Sequence, residues 1–126
     1  MKLGQIYRDE RGTTAVEFAM TAPLFFMILL GVIEAGLLTW TRAGLQHATE
    51  MAARCATVNA TTCGTASGTQ NFAVQQAFGL SMAPSVFSVS TPACGNQVSA
   101  TYTYQFITTY FGTPSLTLSA QSCFPK

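Results

Sequence analysis

The sequence predicts an α+β protein: a long N-terminal transmembrane and projecting helix, with a small antiparallel β-sheet packed on its outer half. Three observations predict this. An apolar run from Thr13 past Trp40 exceeds the ~20 residues needed to cross a bilayer core. Residues Val98 to Phe106 alternate apolar and polar, the period of a half-buried strand. Between Arg54 and Lys126 there is no Asp, Glu, Lys, Arg or His. That half is still rich in Tyr, Phe and Val, unlike a disordered chain, which is normally highly charged and poor in aromatics.

The chain opens on a polar, basic stretch, Met1 to Gly12, in which Lys2, Arg8 and Arg11 stand against Asp9 and Glu10. The apolar tract follows, and from Phe18 through Ile33 it carries no charge. Cations on the short leading flank hold that flank on the cytoplasmic side, because Lys and Arg near a span set its orientation. Arg42 and Arg54 on the far side weaken the bias without reversing it, so the C-terminal part faces outward. Trp40 near the exit fits an aromatic interfacial anchor or, equally, a subunit contact.

Past the span the helical pattern continues. Leu38, Leu45, Ala48, Ala52 and Cys55 recur at helical spacing, and Arg42, Gln46, Glu50 and Arg54 mark a polar face. One helix from about Thr13 to about Ala56 would be ~65 Å long at 1.5 Å per residue. Residues Asn59 to Thr69 have the Thr, Gly and Ser content of a loop, and a short helix is expected from Gln70 to Phe78, ending at Gly79. Strands are expected at Ser85 to Ser90, Gln97 to Thr108 and Ser115 to Ser122, with turns at Gly95-Asn96 and Gly112-Thr113-Pro114.

Composition excludes several function classes. At 126 residues with a net charge of +1, and much of its apolar content in one segment, the chain has only a small core left and no room for a large catalytic scaffold. Nucleic acid is excluded as a partner, since no cationic patch can form to displace counterions from phosphates. His47 is the lone histidine and is expected on the solvated helix surface, with no acid or nucleophile from the outer part to make it a general base. No enzyme activity, cofactor or metal is expected. Asn59-Ala60-Thr61 matches a glycosylation sequon by chance.

All four cysteines, Cys55, Cys63, Cys94 and Cys123, follow the apolar segment. That placement suits an oxidising compartment beyond a membrane. They form no C-x-x-C pair and have no histidine at ligand spacing. Sequence permits three pairings; the favoured one joins Cys55 to Cys63, closing a short loop after a helix, and Cys94 to Cys123, tying a hairpin to the last strand.

The junction Arg11-Gly12-Thr13-Thr14-Ala15-Val16-Glu17 resembles a class III signal, in which cations and a Gly precede an apolar helix with a Glu five residues on. Together with Glu17-Phe18-Ala19, Pro23 and the run to Gly31-Val32-Ile33-Glu34-Ala35-Gly36, it resembles the TadE-like family of pseudopilins from tight-adherence pilus systems; TadF-like relatives share the leader logic. The resemblance covers roughly Arg8 to Arg54. It implies a prepilin peptidase that cuts between Gly12 and Thr13, leaving the apolar helix on the mature protein, whereas an ordinary secretory signal is discarded. The expected organisation is then a leader, 1–12, a long helix, 13–56, with about 15–40 in the membrane, and an extracytoplasmic α+β domain, 57–126. The implied location is the bacterial inner membrane, N-terminus cytoplasmic, with passage to an extracellular pilus on assembly. The implied partners are the peptidase, other pilin subunits, the assembly platform and membrane lipid.

Within that frame the resemblance implies that Glu17 meets the α-amino group of Thr13 on a neighbouring subunit. The plainer reading is a carboxylate in the headgroup region favouring the helix N-terminus. Pro23 removes the helical partner of the Ala19 carbonyl, which either softens the helix for subunit packing or is simply tolerated in a membrane. Glu34 snorkels to the outer interface or partners another subunit. Gly31, Ala35, Gly36, Ala43, Gly44, Ala48 and Ala52 permit close helix–helix approach. The competing functional reading is an uncleaved single-pass protein with an extracytoplasmic binding domain.

Overall fold

A computed structural model of the chain describes residues 11–107, 112 and 114–126. Its elements are α1 (Arg11–Val58), α2 (Ala60–Cys63), α3 (Ala66–Gln75), a single 3-10 turn (Pro84–Val86), then β1 (Phe87–Ser90), β2 (Asn96–Gln105) and β3 (Ser115–Phe124). Compactness divides the chain after Ala35 into two units. The leader residues 1–10, Thr108 and Thr113 of the expected elements lie outside the described residues.

The first unit holds the N-terminal part of α1. Its large apolar residues, Val16 through Ile33, are between 41% and 75% exposed. Surface of this kind, apolar on all sides, is not stabilised by water, and helices apolar all round belong in a core or a bilayer. Length and composition suffice for a membrane crossing, and none of the most apolar window is buried within the protein. Helix continues without interruption through Pro23. Glu34 departs from its surroundings at 7% exposed, so its carboxylate is covered by protein and does not snorkel to a free surface.

In the second unit α1 becomes one-sided. Leu45, Ala48, Ala52 and Ala53 are fully buried, while Arg42, Gln46, Glu50 and Arg54 stay exposed. The buried stripe shares one core with Ala73 and Ala77, with Phe87 of β1, with Val98, Ala100 and Tyr104 of β2, and with Leu118 and Ala120 of β3. Gly44, Ala48 and Ala52 are thus taken up inside the subunit; they are not available for the intersubunit approach their size suggests.

The sheet is antiparallel in the order β1-β2-β3, with Phe87 opposite Ala100 and Tyr102 opposite Leu118. Along β2 the alternation predicted from sequence holds: Val98, Ala100 and Tyr104 are buried, and Thr101, Thr103 and Gln105 are exposed. Asn96, the first residue of β2, ties the sheet to the end of α1 by donating from Nδ2 to the carbonyl of Ala56 at 3.1 Å and to Thr57 Oγ1 at 3.2 Å. Helix C-termini leave carbonyls unpaired, and here a residue 40 positions on supplies a donor. Gly95, just before it, has φ +126°, and a Cβ there would collide with the Phe124 carbonyl, so only glycine lets the turn close on β3.

The segment expected as a loop, Asn59 to Thr69, is largely helical. Asn59 Oδ1 accepts from the Thr62 backbone N–H at 3.1 Å and caps α2; Thr65 Oγ1 accepts from Gly68 N–H at 3.1 Å and caps α3. Polar residues that read as loop in composition act here as N-caps, and the sequon's Asn59 serves as one of them. α3 accordingly starts four residues before the expected Gln70 and stops at Gln75, because Phe78 and Gly79 both take positive φ. The first strand begins at Phe87 and not Ser85, as Pro84 opens the 3-10 turn.

The cysteines pair as Cys55–Cys63 and Cys94–Cys123. The first bridges the end of α1 to the end of α2, and the second fixes the turn before β2 to the end of β3. With so many alanines in the core, burial per residue is modest, and cross-links compensate in small domains. Closing a separation of 29 residues lowers the entropy of the unfolded chain by an amount worth about 3 to 4 kcal/mol. C94S/C123S should therefore lose about that much stability, read as a lower urea midpoint of Trp40 fluorescence in the detergent-solubilised full chain.

Candidate functional site

Chemistry-bearing residues are sparse, and those the sequence singled out for processing and assembly lie on the first turns of α1. Gly12, Thr13 and Glu17 all fall inside the helix, and Gly12 and Glu17 are exposed. A Cβ built on Gly12 meets nothing within 4 Å. Its φ lies outside the left-handed range, so neither packing nor backbone geometry demands glycine there. Glycine inside a helix costs roughly 0.5 to 1 kcal/mol relative to alanine. The fold gives no return for that cost.

Glu17 is the first acid in the apolar helix and one helical turn beyond Thr13. Thr21 Oγ1 donates to the Glu17 carbonyl oxygen at 2.9 Å and lies 3.4 Å from that of Phe18. Such back-bonding satisfies hydroxyls in an apolar setting and loosens the helix slightly. It falls one turn ahead of Pro23, which cannot donate to Ala19. The stretch from Glu17 to Pro23 thus concentrates the carboxylate, the back-bonded threonine and the missing helical bond. Further along, Gly31 and Gly36 likewise have no atom within 4 Å of a built Cβ, leaving flat surface open for another helix.

Among its described residues the second unit offers no comparable acid–base arrangement. Among the described residues no group of three or more His, Cys, Asp and Glu is placed to hold a metal ion. A shallow depression of about 360 Å³ runs between Thr39, Arg42, Ala43 and Gln46 of α1 and Ser119 and Ala120 of β3. Arg42 is its only charged lining residue. Glu50 accepts from Gln46 Nε2 at 2.9 Å and so belongs to the solvated polar face of α1.

His47 is half-buried, unlike the solvated surface position expected for it. Its Nδ1 lies 3.1 Å from the Gln76 carbonyl, which makes Nδ1 the donor, and its ring stacks on Phe78 at a centroid distance of 4.5 Å. Phe78 in turn lies 5.7 Å from Trp40. Sequence reading placed Phe78 as the last residue of a helix and saw no role for it. Its one local signal is the Gly79 that follows.

Residues 12–54 match the family model described as TadE-like protein. The match starts at Gly12 and ends four residues before α1 does, so the matched segment lies within α1 and the sheet-bearing part lies beyond it. No curated protein and no solved structure matches the chain significantly. G12A should leave the fold of the full chain unchanged: helicity by circular dichroism should equal or slightly exceed that of the unmodified chain, since the added methyl meets no atom.

Proposed function

We propose that this chain is a membrane-anchored structural subunit of a tight-adherence pilus, made as a precursor and cut by a prepilin peptidase between Gly12 and Thr13. One observation carries the reading. A TadE-like helix exposed on all its apolar sides holds a carboxylate, Glu17, five residues after a glycine that the fold does not require.

Each part has a physical role. Removal of 1–12 takes away Lys2, Arg8 and Arg11 and creates an α-amino cation on Thr13. A carboxylate at the edge of hydrocarbon is costly without a partner. Glu17 meets that cost by pairing with the Thr13 amine of a neighbouring subunit, which aligns the two helices axially. Gly31 and Gly36 admit close approach, and loosening around Pro23 lets the helix adjust. The C-terminal domain faces outward, where oxidation closes both disulfides, and it is carried into a filament that serves adhesion. The partners are the peptidase, other pilin subunits, the assembly platform and lipid.

G12I should accumulate as an uncleaved, membrane-retained precursor. E17A should still be cut but enter filaments poorly, and normal assembly of E17A would show that the charge pairing is wrong. Intact mass with N-terminal sequencing of the membrane-derived protein should give a start at Thr13 and, without reduction, a mass four hydrogens below the free-thiol form, two for each bridge. A start at Met1 would favour the uncleaved single-pass reading.

A further inference from the structure

The two edges of the sheet are built differently. At one edge β1 is four residues long and follows Pro84, and a short strand of that kind offers little to pair with. At the other, β3 runs ten residues from Ser115 to Phe124 with no charge and no proline. It pairs with β2 one to one along its whole length, with no bulge. Half of its backbone N–H and C=O groups therefore point away from β2. Among the described residues nothing beyond β2 bonds to them. Edge strands are normally blunted by charge, proline or a bulge, and β3 has none of these.

What lies beside that edge identifies the partner. The depression lined by Arg42, Gln46, Ser119 and Ala120 opens where β3 meets α1, and a second hollow of about 330 Å³ shares Gln46, Ser119 and Ala120 with it. Ala120 faces the core that α1 helps to build. A strand added at the usual spacing of ~4.8 Å would turn the side chain opposite Ala120 toward the same face, into the depression and toward Arg42. Arg42 is exposed and makes no hydrogen bond or ion pair among the described residues. A carboxylate is the complement it lacks.

The same face carries two further marks. Leu116 and Phe124 lie four residues to either side of Ala120, so by alternation they share its face, and they are 42% and 37% exposed. Apolar side chains opposite them would cover both. A second copy of this chain does not fit: β3 has no acid, and the one acidic side chain from Gly36 onward, Glu50, is bonded to Gln46.

We propose that the β3 edge docks an extended segment of a different protein as a fourth strand, with a Glu or Asp opposite Ala120 facing Arg42 and apolar residues four positions to either side covering Leu116 and Phe124. Backbone bonding supplies attachment and the alternate side chains supply choice of partner. The site lies wholly in the second unit, so it stands whether or not residues 1–12 are removed.

The probe is the peptide Val-Thr-Ser-Thr-Glu-Thr-Ser-Thr-Val, blocked at both ends, which reads the same in either direction and so serves parallel and antiparallel pairing. It is titrated calorimetrically into the full chain in non-ionic detergent, with both disulfides verified by non-reduced mass. Changing the peptide's Glu to Gln should weaken binding about fivefold. R42Q should bind the two peptides equally, a loss of preference that a general loss of structure would not produce. N-methylation of alternate residues along one edge of the peptide should abolish binding, and along the other edge should leave it intact. In hydrogen exchange, alternate amides of residues 115–124 should slow when the peptide is bound. Absence of binding, equal binding of the Glu and Gln peptides to the unmodified chain, or a preference that survives in R42Q would each overturn the proposal. Slowing of those amides with rising chain concentration and no peptide would make a second copy the occupant and overturn it as well.

Discussion

One continuous helix has to satisfy two environments, and the rest of the protein follows from that constraint. Up to Ile33 its apolar side chains are exposed all round, which is stable only where lipid or other helices replace water. From Leu38 onward the same helix buries one stripe and leaves a polar face outside. The change occurs within two turns, around Glu34, Leu37 and Trp40. Glu34 is buried by protein, which keeps a carboxylate near the end of an apolar stretch from facing lipid directly.

α3 and the sheet cover the stripe. Small residues meet on both sides, Ala48, Ala52 and Ala53 on α1 and Ala73, Ala77, Ala100 and Ala120 on the segments over it, all buried. Close approach of backbones substitutes for bulk, and a side chain would meet neighbouring atoms at Gly44 and Gly95. A core of this kind gains little from each residue. Two disulfides and long-range polar ties, Asn96 to the end of α1 and Gln70 to the Phe87 carbonyl, therefore supply what apolar area does not. The arrangement suits a domain without charge, because none of these ties depends on an ion pair that salt could screen.

The proposed pilus role draws on the opposite property of the first unit, where glycines are unneeded by the fold. Gly12 and Gly31 have open space where a side chain would sit. In the second unit Gly44 and Gly95 mark internal contacts; in the first, Gly12 and Gly31 leave room for something outside the chain. That difference separates the small residues that pack within the subunit from those open to a neighbour, a distinction their spacing alone did not make.

Patterns carried by neighbouring residues were legible in the sequence. The helix, its polar face at Arg42, Gln46, Glu50 and Arg54, and the alternation of β2 all depend on local period or on adjacent residue types. Other features were settled only by tertiary contact. Asn59 and Thr65 became helix caps because α2 and α3 fold back beside Cys63; Gly44 and Ala48 were buried because the turn at 77–80 and the sheet cover them; His47 left solvent for Phe78. Sequence period sets what a helix face offers, but which face is covered, and by what, depends on residues tens of positions away whose approach has no local signature.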